Sequence, residues 1–162
     1  MKRKLMGLGI LVIAASLVSV SASAAAPDLA EHYLAIQTAL AGDSLEKVGE
    51  HAAAIEQLVN TGGNDRVDTD SSGIESRTAD ISAAAKNLVA AKDLQEARLA
   101  FGVLSEILVE SYDLIPEGSV KVAYCSMAKK HWFQTGDEIS NPYYGSKMLR
   151  CGQFVPQSET TN

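Results

Sequence analysis

The sequence predicts an all-α fold, an up-and-down four-helix bundle followed by a short C-terminal extended or loop segment that carries cysteines and methionines. Three observations support this prediction: four helix-start signals, an apolar stripe after each of them, and a change of pattern after Ile115-Pro116-Glu117-Gly118. The chain then divides into a signal peptide at 1–24, the bundle at 25–114, the C-terminal segment at 115–156 and a disordered tail at 157–162.

The first residues are typical of a secretory signal peptide. Three cations at 2–4 precede an apolar run over 8–20, and Ala22-Ser23-Ala24 provides an A-x-A cleavage signal. The run is shorter than the about 20 apolar residues that a membrane span needs. We therefore expect cleavage after Ala24 or Ala26, no membrane anchor in the mature form, and a location in the periplasm or another extracytoplasmic space.

Without its leader the chain is strongly acidic. Of the 14 basic side chains, three lie at 2–4, so 11 remain against 20 acidic ones, a net charge of −9. This charge argues against nucleic acid or an anionic membrane surface as a partner, and it helps to keep an exported protein soluble. About 136 residues remain, which fits a single domain.

Four helices are indicated by an N-cap residue followed three positions later by Glu, a pattern that satisfies the free N–H groups of a first turn. These pairs are Asp28/Glu31, Asp43/Glu46, Ser72/Glu75 and Asp93/Glu96. After each pair, apolar residues recur at helical spacing. The four stripes are Leu29, Tyr33, Ile36, Leu40; Leu45, Val48, Ala52, Ile55, Val59; Ile74, Ile81, Ala85, Leu88; and Leu94, Ala97, Phe101, Leu104, Leu108.

The pattern of the C-terminal segment changes to alternation, which favours short extended pieces. Val120, Val122 and Tyr124 share one face of a predicted strand that leads into Cys125, and a second extended piece is predicted at 151–155. The residues between the two pieces are predicted to form a loop.

Both cysteines and both methionines outside the leader lie in this segment, at Cys125, Met127, Met148 and Cys151. Two chemistries fit these sulfur atoms. In an oxidising compartment Cys125 and Cys151 would form a disulfide, which stabilises by roughly 3 to 4 kcal/mol on the chain-entropy estimate. Alternatively, thiolates and thioethers together provide a site for Cu(I) or Ag(I). The spacing is compatible with either chemistry.

The aromatic residues of the segment also have two interpretations. Trp132 either anchors the segment on the bundle or contributes, with Tyr143 and Tyr144, to an interaction surface that docks a partner. The turn Asn141-Pro142-Tyr143-Tyr144-Gly145 owes its Pro and Gly to backbone geometry, since Pro fixes φ and Gly permits a positive one.

The histidines do not form a ligand set in sequence. His131 is either an additional ligand beside the sulfur residues or an exposed loop histidine. His32 and His51 lie on separate predicted helices, and we interpret both as surface histidines. A catalytic triad, a hydrolytic metal motif, a phosphate-binding glycine loop and a Cys-x-x-Cys pair are all absent from the sequence, which argues against an enzyme.

The C-terminal motif resembles that of the DUF3347 family. The matching positions are Tyr124-Cys125-Ser126-Met127-Ala128, Trp132, Ile139, Asn141-Pro142-Tyr143-Tyr144-Gly145, Met148-Leu149 and Cys151-Gly152. The family occurs as small exported helical proteins and as a terminal domain on periplasmic adaptor subunits of copper and silver efflux pumps. The resemblance implies a periplasmic metal-handling protein that binds Cu(I) or Ag(I) through the four sulfur residues, with an efflux component as partner. The alternative is a disulfide-stapled interaction module without metal.

Overall fold

The structure, a computed structural model, describes residues 29–62, 71–110 and 120–156. The predicted signal peptide and C-terminal tail lie outside these residues. The elements are the helices α1 (Leu29–Ala41), α2 (Val48–Gly62), α3 (Ser71–Ala90) and α4 (Leu94–Glu110), the strands β1 (Lys121–Cys125), β2 (Lys130–Gln134) and β3 (Gln153–Phe154), and a 3₁₀ helix (Gly145–Lys147).

The four predicted helices are confirmed, and most residues of their apolar stripes lie in the core, with the exposed Leu45 before α2 as an exception. Thirteen stripe residues are at most 2% exposed: Tyr33, Ile36, Leu40, Val48, Ala52, Ile55, Ile81, Ala85, Leu88, Ala97, Phe101, Leu104 and Leu108. Helix α1 contacts α2 and α4, and α3 also contacts both α2 and α4. The up-and-down order of the helices stays a prediction. Within the described ranges, no helix combines the length and the apolarity that a bilayer span requires.

The start of α4 is capped as predicted. The Asp93 carboxylate accepts a hydrogen bond from the Glu96 N–H at 2.8 Å, and the Glu96 carboxylate accepts one from the Lys92 N–H at 2.8 Å. The first bond satisfies an N–H group that the first turn leaves without a helical partner, and the second holds the residue before the cap. Asp28 lies outside the described residues, and Ser72 lies within α3 rather than before it.

The prediction that Asp43 begins a helix is wrong. Helix α2 begins at Val48, and Asp43 lies in the preceding loop with a φ of +55°. Its carboxylate instead pairs with Arg98 of α4 and accepts the Ser146 N–H. A tertiary contact therefore overrides the local capping signal at this position.

A three-stranded antiparallel sheet in the order β2-β1-β3 corrects the all-α prediction. Strands β1 and β3 lie within the two extended pieces that the sequence predicts, but β2 occupies residues predicted to form a loop. The sequence of β2 shows no alternation because Trp132, Phe133 and Gln134 are consecutive and all buried. Such a strand is covered on both faces, so it lacks the period-two signal.

The outer edge of β2 is bonded to side chains rather than to another strand. The Phe133 N–H donates to the Tyr33 hydroxyl at 3.1 Å, and the His131 N–H donates to the Glu106 carboxylate. The Tyr143 hydroxyl donates to the His131 carbonyl. These bonds occupy backbone groups that an edge strand leaves open, and they attach the sheet to α1 and α4.

Candidate functional site

The two cysteines come together at the end of β1. Cys125 is the last residue of β1 and is fully buried, whereas Cys151 lies two residues before β3 and is half-buried. Because β3 pairs with β1, Cys151 lies beside the end of β1, and the two free thiols are neighbours. Desolvation raises the pKa of the Cys151 thiol, and the adjacent Cys125 raises it further.

The turn between β1 and β2 supplies a backbone donor to Cys125. The Ala128 N–H donates to the Cys125 Sγ at a nitrogen–sulfur distance of 3.4 Å. Lys129, with a φ of +53°, completes the turn before β2. An N–H donor stabilises a thiolate more than a neutral thiol, and donors of this kind accompany ligands at metal sites. The position of the buried sulfur atom is therefore fixed in part by a backbone donor.

Asn141 fixes the segment that carries Cys151. This asparagine is fully buried, and its Nδ2 donates to the Cys151 carbonyl at 2.6 Å. Its Oδ1 accepts the Tyr143 N–H at 2.8 Å, and its own N–H donates to the Leu149 carbonyl at 2.9 Å. The side chain thus links the turn at 141–145 to the backbone around the second thiol.

The two methionines differ in their placement. Met127 is 61% exposed and lines a groove together with Leu99 of α4 and Tyr144. Met148 is half-buried after the 3₁₀ helix, and its carbonyl accepts the Cys151 N–H at 2.9 Å. No group of three or more His, Cys, Asp and Glu side chains in the described part of the chain is arranged to hold a metal ion. A metal at the thiols would therefore have two thiolates as its principal ligands.

The position of His131 separates it from the thiols. In the β1–β2 register His131 lies opposite Tyr124, and Lys130 lies opposite Cys125. Side chains alternate between the two faces of a strand, so His131 and Cys125 occupy opposite faces. The His131 ring stacks on Tyr124 at a centroid distance of 4.7 Å, and its Nδ1 lies 3.4 Å from the Glu106 carboxylate. These contacts account for the histidine without a metal.

The predicted interaction surface of Trp132, Tyr143 and Tyr144 is not formed by these three residues. Trp132 is fully buried, Tyr143 is 9% exposed and Tyr144 is half-buried. The Trp132 and Tyr143 rings meet edge to face at 5.7 Å, and the Trp132 Nε1 donates to Gln134 at 3.0 Å. The anchoring interpretation of Trp132 is therefore the correct one. Burial also raises the pKa of Tyr143 well above its usual value.

A charged cluster, which we call the Arg98 clamp, joins this segment to the helices. It consists of Arg98 and Asp43 with the backbone groups that they bind. Arg98 donates to the Pro142 carbonyl at 3.0 Å, to the Leu40 carbonyl at 2.9 Å and to the Asp43 carboxylate. The second oxygen of Asp43 accepts the Ser146 N–H at 2.9 Å. The clamp therefore connects the end of α1, the start of α4 and the turn at 141–145.

Acid is expected to weaken the Arg98 clamp. Hydrogen bonds from Ser146 and Arg98 hold the pKa of Asp43 well below its usual range. A carboxyl group with a depressed pKa contributes stability above its unfolded-state pKa of about 4, and this contribution is lost as the pH falls through the folded-state value. We expect Asp43→Asn to lower the free energy of unfolding at neutral pH and to flatten its dependence on pH below about 4. Urea unfolding across this pH range measures both effects.

Asp137→Asn is the matched control for this prediction. Asp137 also pairs with a cation, Lys121, and its pKa is also lowered by that partner, but its side chain is 94% exposed. Exposed ion pairs contribute little because water and salt screen them. Equal pH profiles for the two variants would contradict the importance of the Arg98 clamp.

The structure also brings together two histidines that the sequence interpretation kept apart. His32 on α1 and His51 on α2 have their Nδ1 atoms 2.9 Å apart. Both histidines are half-buried at the surface, and their contact is a feature that the sequence interpretation did not include. No sequence signal pairs them, because they are 19 residues apart on different helices.

Comparison with known proteins identifies a family but no function. The family described as "Protein of unknown function (DUF3347)" matches residues 29–117, more than half of the 162-residue chain. The matched range contains the four helices and ends before β1, so it does not include the thiols. No curated protein and no solved structure matches the chain.

Proposed function

This chain belongs to the DUF3347 family, and from that premise we propose that it is an exported metal-handling protein that binds one Cu(I) or Ag(I) ion between Cys125 and Cys151. The proposal includes cleavage of the leader at 1–24, a periplasmic location and an up-and-down arrangement of the four helices. The partner we propose is a component of a heavy-metal efflux system, as the resemblance of the C-terminal motif implies.

The proximity of the two free thiols, which the pairing of β3 with β1 produces, is the observation that supports this proposal. Thiolates select Cu(I) and Ag(I), and these ions accept two ligands. Cys125 is fully buried and accepts the Ala128 N–H, so it provides a ligand whose position is fixed. Cys151 is half-buried and provides the side from which an ion enters. A buried thiolate can hold the ion while the more exposed thiolate exchanges it with a partner, as a protein that receives and passes on an ion requires.

The protonation of Cys151 makes binding dependent on pH. Its pKa is raised, so the free protein keeps this thiol protonated at neutral pH. An ion that binds as a thiolate complex must displace the proton. Binding therefore releases protons and weakens as the pH falls.

We assign the exposed Met127 a role in transfer. Its thioether lies in the turn after Cys125 and lines the groove against α4, where it is 61% exposed. A thioether is a soft neutral ligand, so it binds Cu(I) more weakly than a thiolate does. A weak ligand beside a strong pair provides an intermediate position for an ion that moves to or from a partner. Met148 comes before Cys151 in the sequence, and we propose it as the fourth sulfur residue of the site.

The same proximity favours a second candidate, a disulfide-stapled interaction module without metal. Neighbouring thiols can form a disulfide when their geometry permits, and an oxidising compartment supplies the oxidant. In this case the buried Trp132 and Tyr143 do not provide the docking surface. The groove formed by Met127, Leu99 and Tyr144 takes that role, since Met127 and Leu99 are 61% and 67% exposed.

Thiol quantification followed by metal titration separates the two candidates. Protein purified without reductant is assayed for free thiols, and reduced protein is titrated anaerobically with Cu(I) against a competing chelator. We expect one ion per chain, a loss of affinity greater than about 100-fold for Cys151→Ser, and a smaller loss for Met127→Leu. Ser126→Ala, an exposed neighbour in the same turn, is the control and should bind as the unmodified chain does. No free thiol before reduction and no binding after it would leave the disulfide module as the better account.

A further inference from the structure

His32 and His51 face each other between α1 and α2. Their Nδ1 atoms are 2.9 Å apart, and their ring centroids are 5.3 Å apart. The ring centroids are farther apart than the nitrogens by about the diameter of one imidazole ring, that is, by one centroid-to-nitrogen distance from each histidine. The two nitrogens therefore lie close to the line that joins the ring centres, and each points at the other.

This head-on arrangement places one proton between two nitrogens. A neutral imidazole has one N–H donor and one acceptor nitrogen, so one ring donates through Nδ1 and the other accepts. In the tautomers that carry both protons on Nε2, the Nδ1 lone pairs of the two rings are directed at a common point between them. Any cation that requires two opposed nitrogen ligands fits the same line.

The number and direction of the ligands select the kind of ion. In the described part of the chain, no third His, Cys, Asp or Glu side chain joins this pair in a metal-binding group. Structural Zn(II) sites use four ligands at tetrahedral angles, whereas Cu(I) and Ag(I) accept two ligands in a line. We propose that His32 and His51 form a second metal site, independent of the thiols, which binds one Cu(I) or Ag(I) ion in linear coordination between α1 and α2.

Binding requires a small separation of the rings and a change of tautomer. With metal–nitrogen bonds of about 2 Å, the nitrogens move from their 2.9 Å separation to about 4 Å. The ring that carries its proton on Nδ1 transfers it to Nε2, so a neutral pair binds the ion with no net release of protons.

The pair is accessible from solvent. Both rings are half-buried, and a groove lined by Thr38, Glu46 and Lys47 reaches His51. Because the rings belong to two different helices, a bound ion links α1 to α2 directly. Ion binding at this site is therefore expected to stabilise the helical part of the protein against unfolding.

Silver titration of a chain without thiols tests this inference separately from the proposed function. The full chain with Cys125→Ser and Cys151→Ser is titrated with Ag(I) in a chloride-free buffer, by calorimetry and by NMR of the histidine ring nitrogens. We expect one Ag(I) per chain, shifts of the Nδ1 resonances of His32 and His51, and a loss of affinity of more than about 10-fold for His32→Gln or His51→Gln. His131→Gln is the matched control and should leave the affinity unchanged.

Two results would overturn the inference. If the thiol-free chain binds no Ag(I), the histidines only share a proton, and a thiol site in the unmodified chain is unaffected by that conclusion. If the thiol-free chain binds Ag(I) but His32→Gln and His51→Gln do not change the affinity, the ion is held by other ligands such as the methionines. Conversely, histidine binding without any thiol binding in the unmodified chain would support this site and contradict the proposed function.

Discussion

Gly145→Ala is expected to lower the free energy of unfolding by about 2 to 5 kcal/mol, a large part of the stability of a small domain. Gly145 begins the 3₁₀ helix and has a φ of +56°. A side chain in this left-handed region adds about 1 to 2 kcal/mol of backbone strain. Crowding supplies the rest, because a Cβ atom at this position would overlap the Asp43 carboxylate and the Arg98 guanidinium.

The crowding is severe because the overlapped atoms belong to the Arg98 clamp. Asp43 and Arg98 bind each other, and together they bind Pro142, Leu40 and Ser146. Neither side chain can move away from a new methyl group without the loss of these bonds. The alanine variant is therefore expected to weaken the attachment of the turn at 141–145 to α1 and α4.

Gly136→Ala is the control that separates strain from crowding. Gly136 also has a positive φ, +83°, but a Cβ atom there would meet nothing within 4 Å. Urea unfolding should show that Gly136→Ala lowers the free energy of unfolding by about 1 to 2 kcal/mol and that Gly145→Ala lowers it clearly more. In a chain that already carries Asp43→Ala, the added effect of Gly145→Ala should shrink. Equal effects of the two glycine substitutions would show that the Arg98 clamp does not crowd Gly145.

The helices could be predicted from the sequence because their signals are local. Each apolar stripe contributes a buried residue, as the helical spacing predicts: Tyr33, Ile55, Leu88 and Phe101. Strand β2 could not be predicted, since it is held by its pairing with β1 and by bonds from Tyr33 and other helical residues. A strand whose position depends on such distant groups has no periodic signal of its own.

The candidate site could be predicted only in part, for a similar reason. The structure makes Cys125 and Cys151 neighbours, as both sequence hypotheses require, whereas the function of this segment stays a prediction. The burial of Trp132 and the separation of His131 from the thiols depend on the register of β1 and β2, which is a tertiary property. The contact of His32 with His51 depends in the same way on how α1 packs against α2.

Trp132→Ala is expected to lower the free energy of unfolding by about 3 to 5 kcal/mol. Trp132 is fully buried, stacks edge to face on Tyr143 at 5.7 Å and donates from Nε1 to Gln134 at 3.0 Å. Its ring also fills the space beside Gly152, where a Cβ atom would lie 2.7 Å from the Trp132 Cη2. Removal of the indole leaves a cavity among residues that are held by the sheet and by the turn, so the site cannot collapse to fill it.

The same substitution is expected to expose the thiol site, which connects this packing to the proposed function. Trp132 shares a sheet face with Cys125, because Trp132 lies opposite Ala123 in the register. Trp132→Ala should therefore accelerate alkylation of the buried Cys125, whereas Trp132→Phe, which keeps a ring, should have less than half the effect on stability. Leu99→Ala is the control for loss of a large apolar side chain, since Leu99 is 67% exposed and should change stability by no more than about 0.5 kcal/mol. If Trp132→Ala were as mild as Leu99→Ala and left Cys125 protected, the indole would not be the element that holds the C-terminal segment over the thiols.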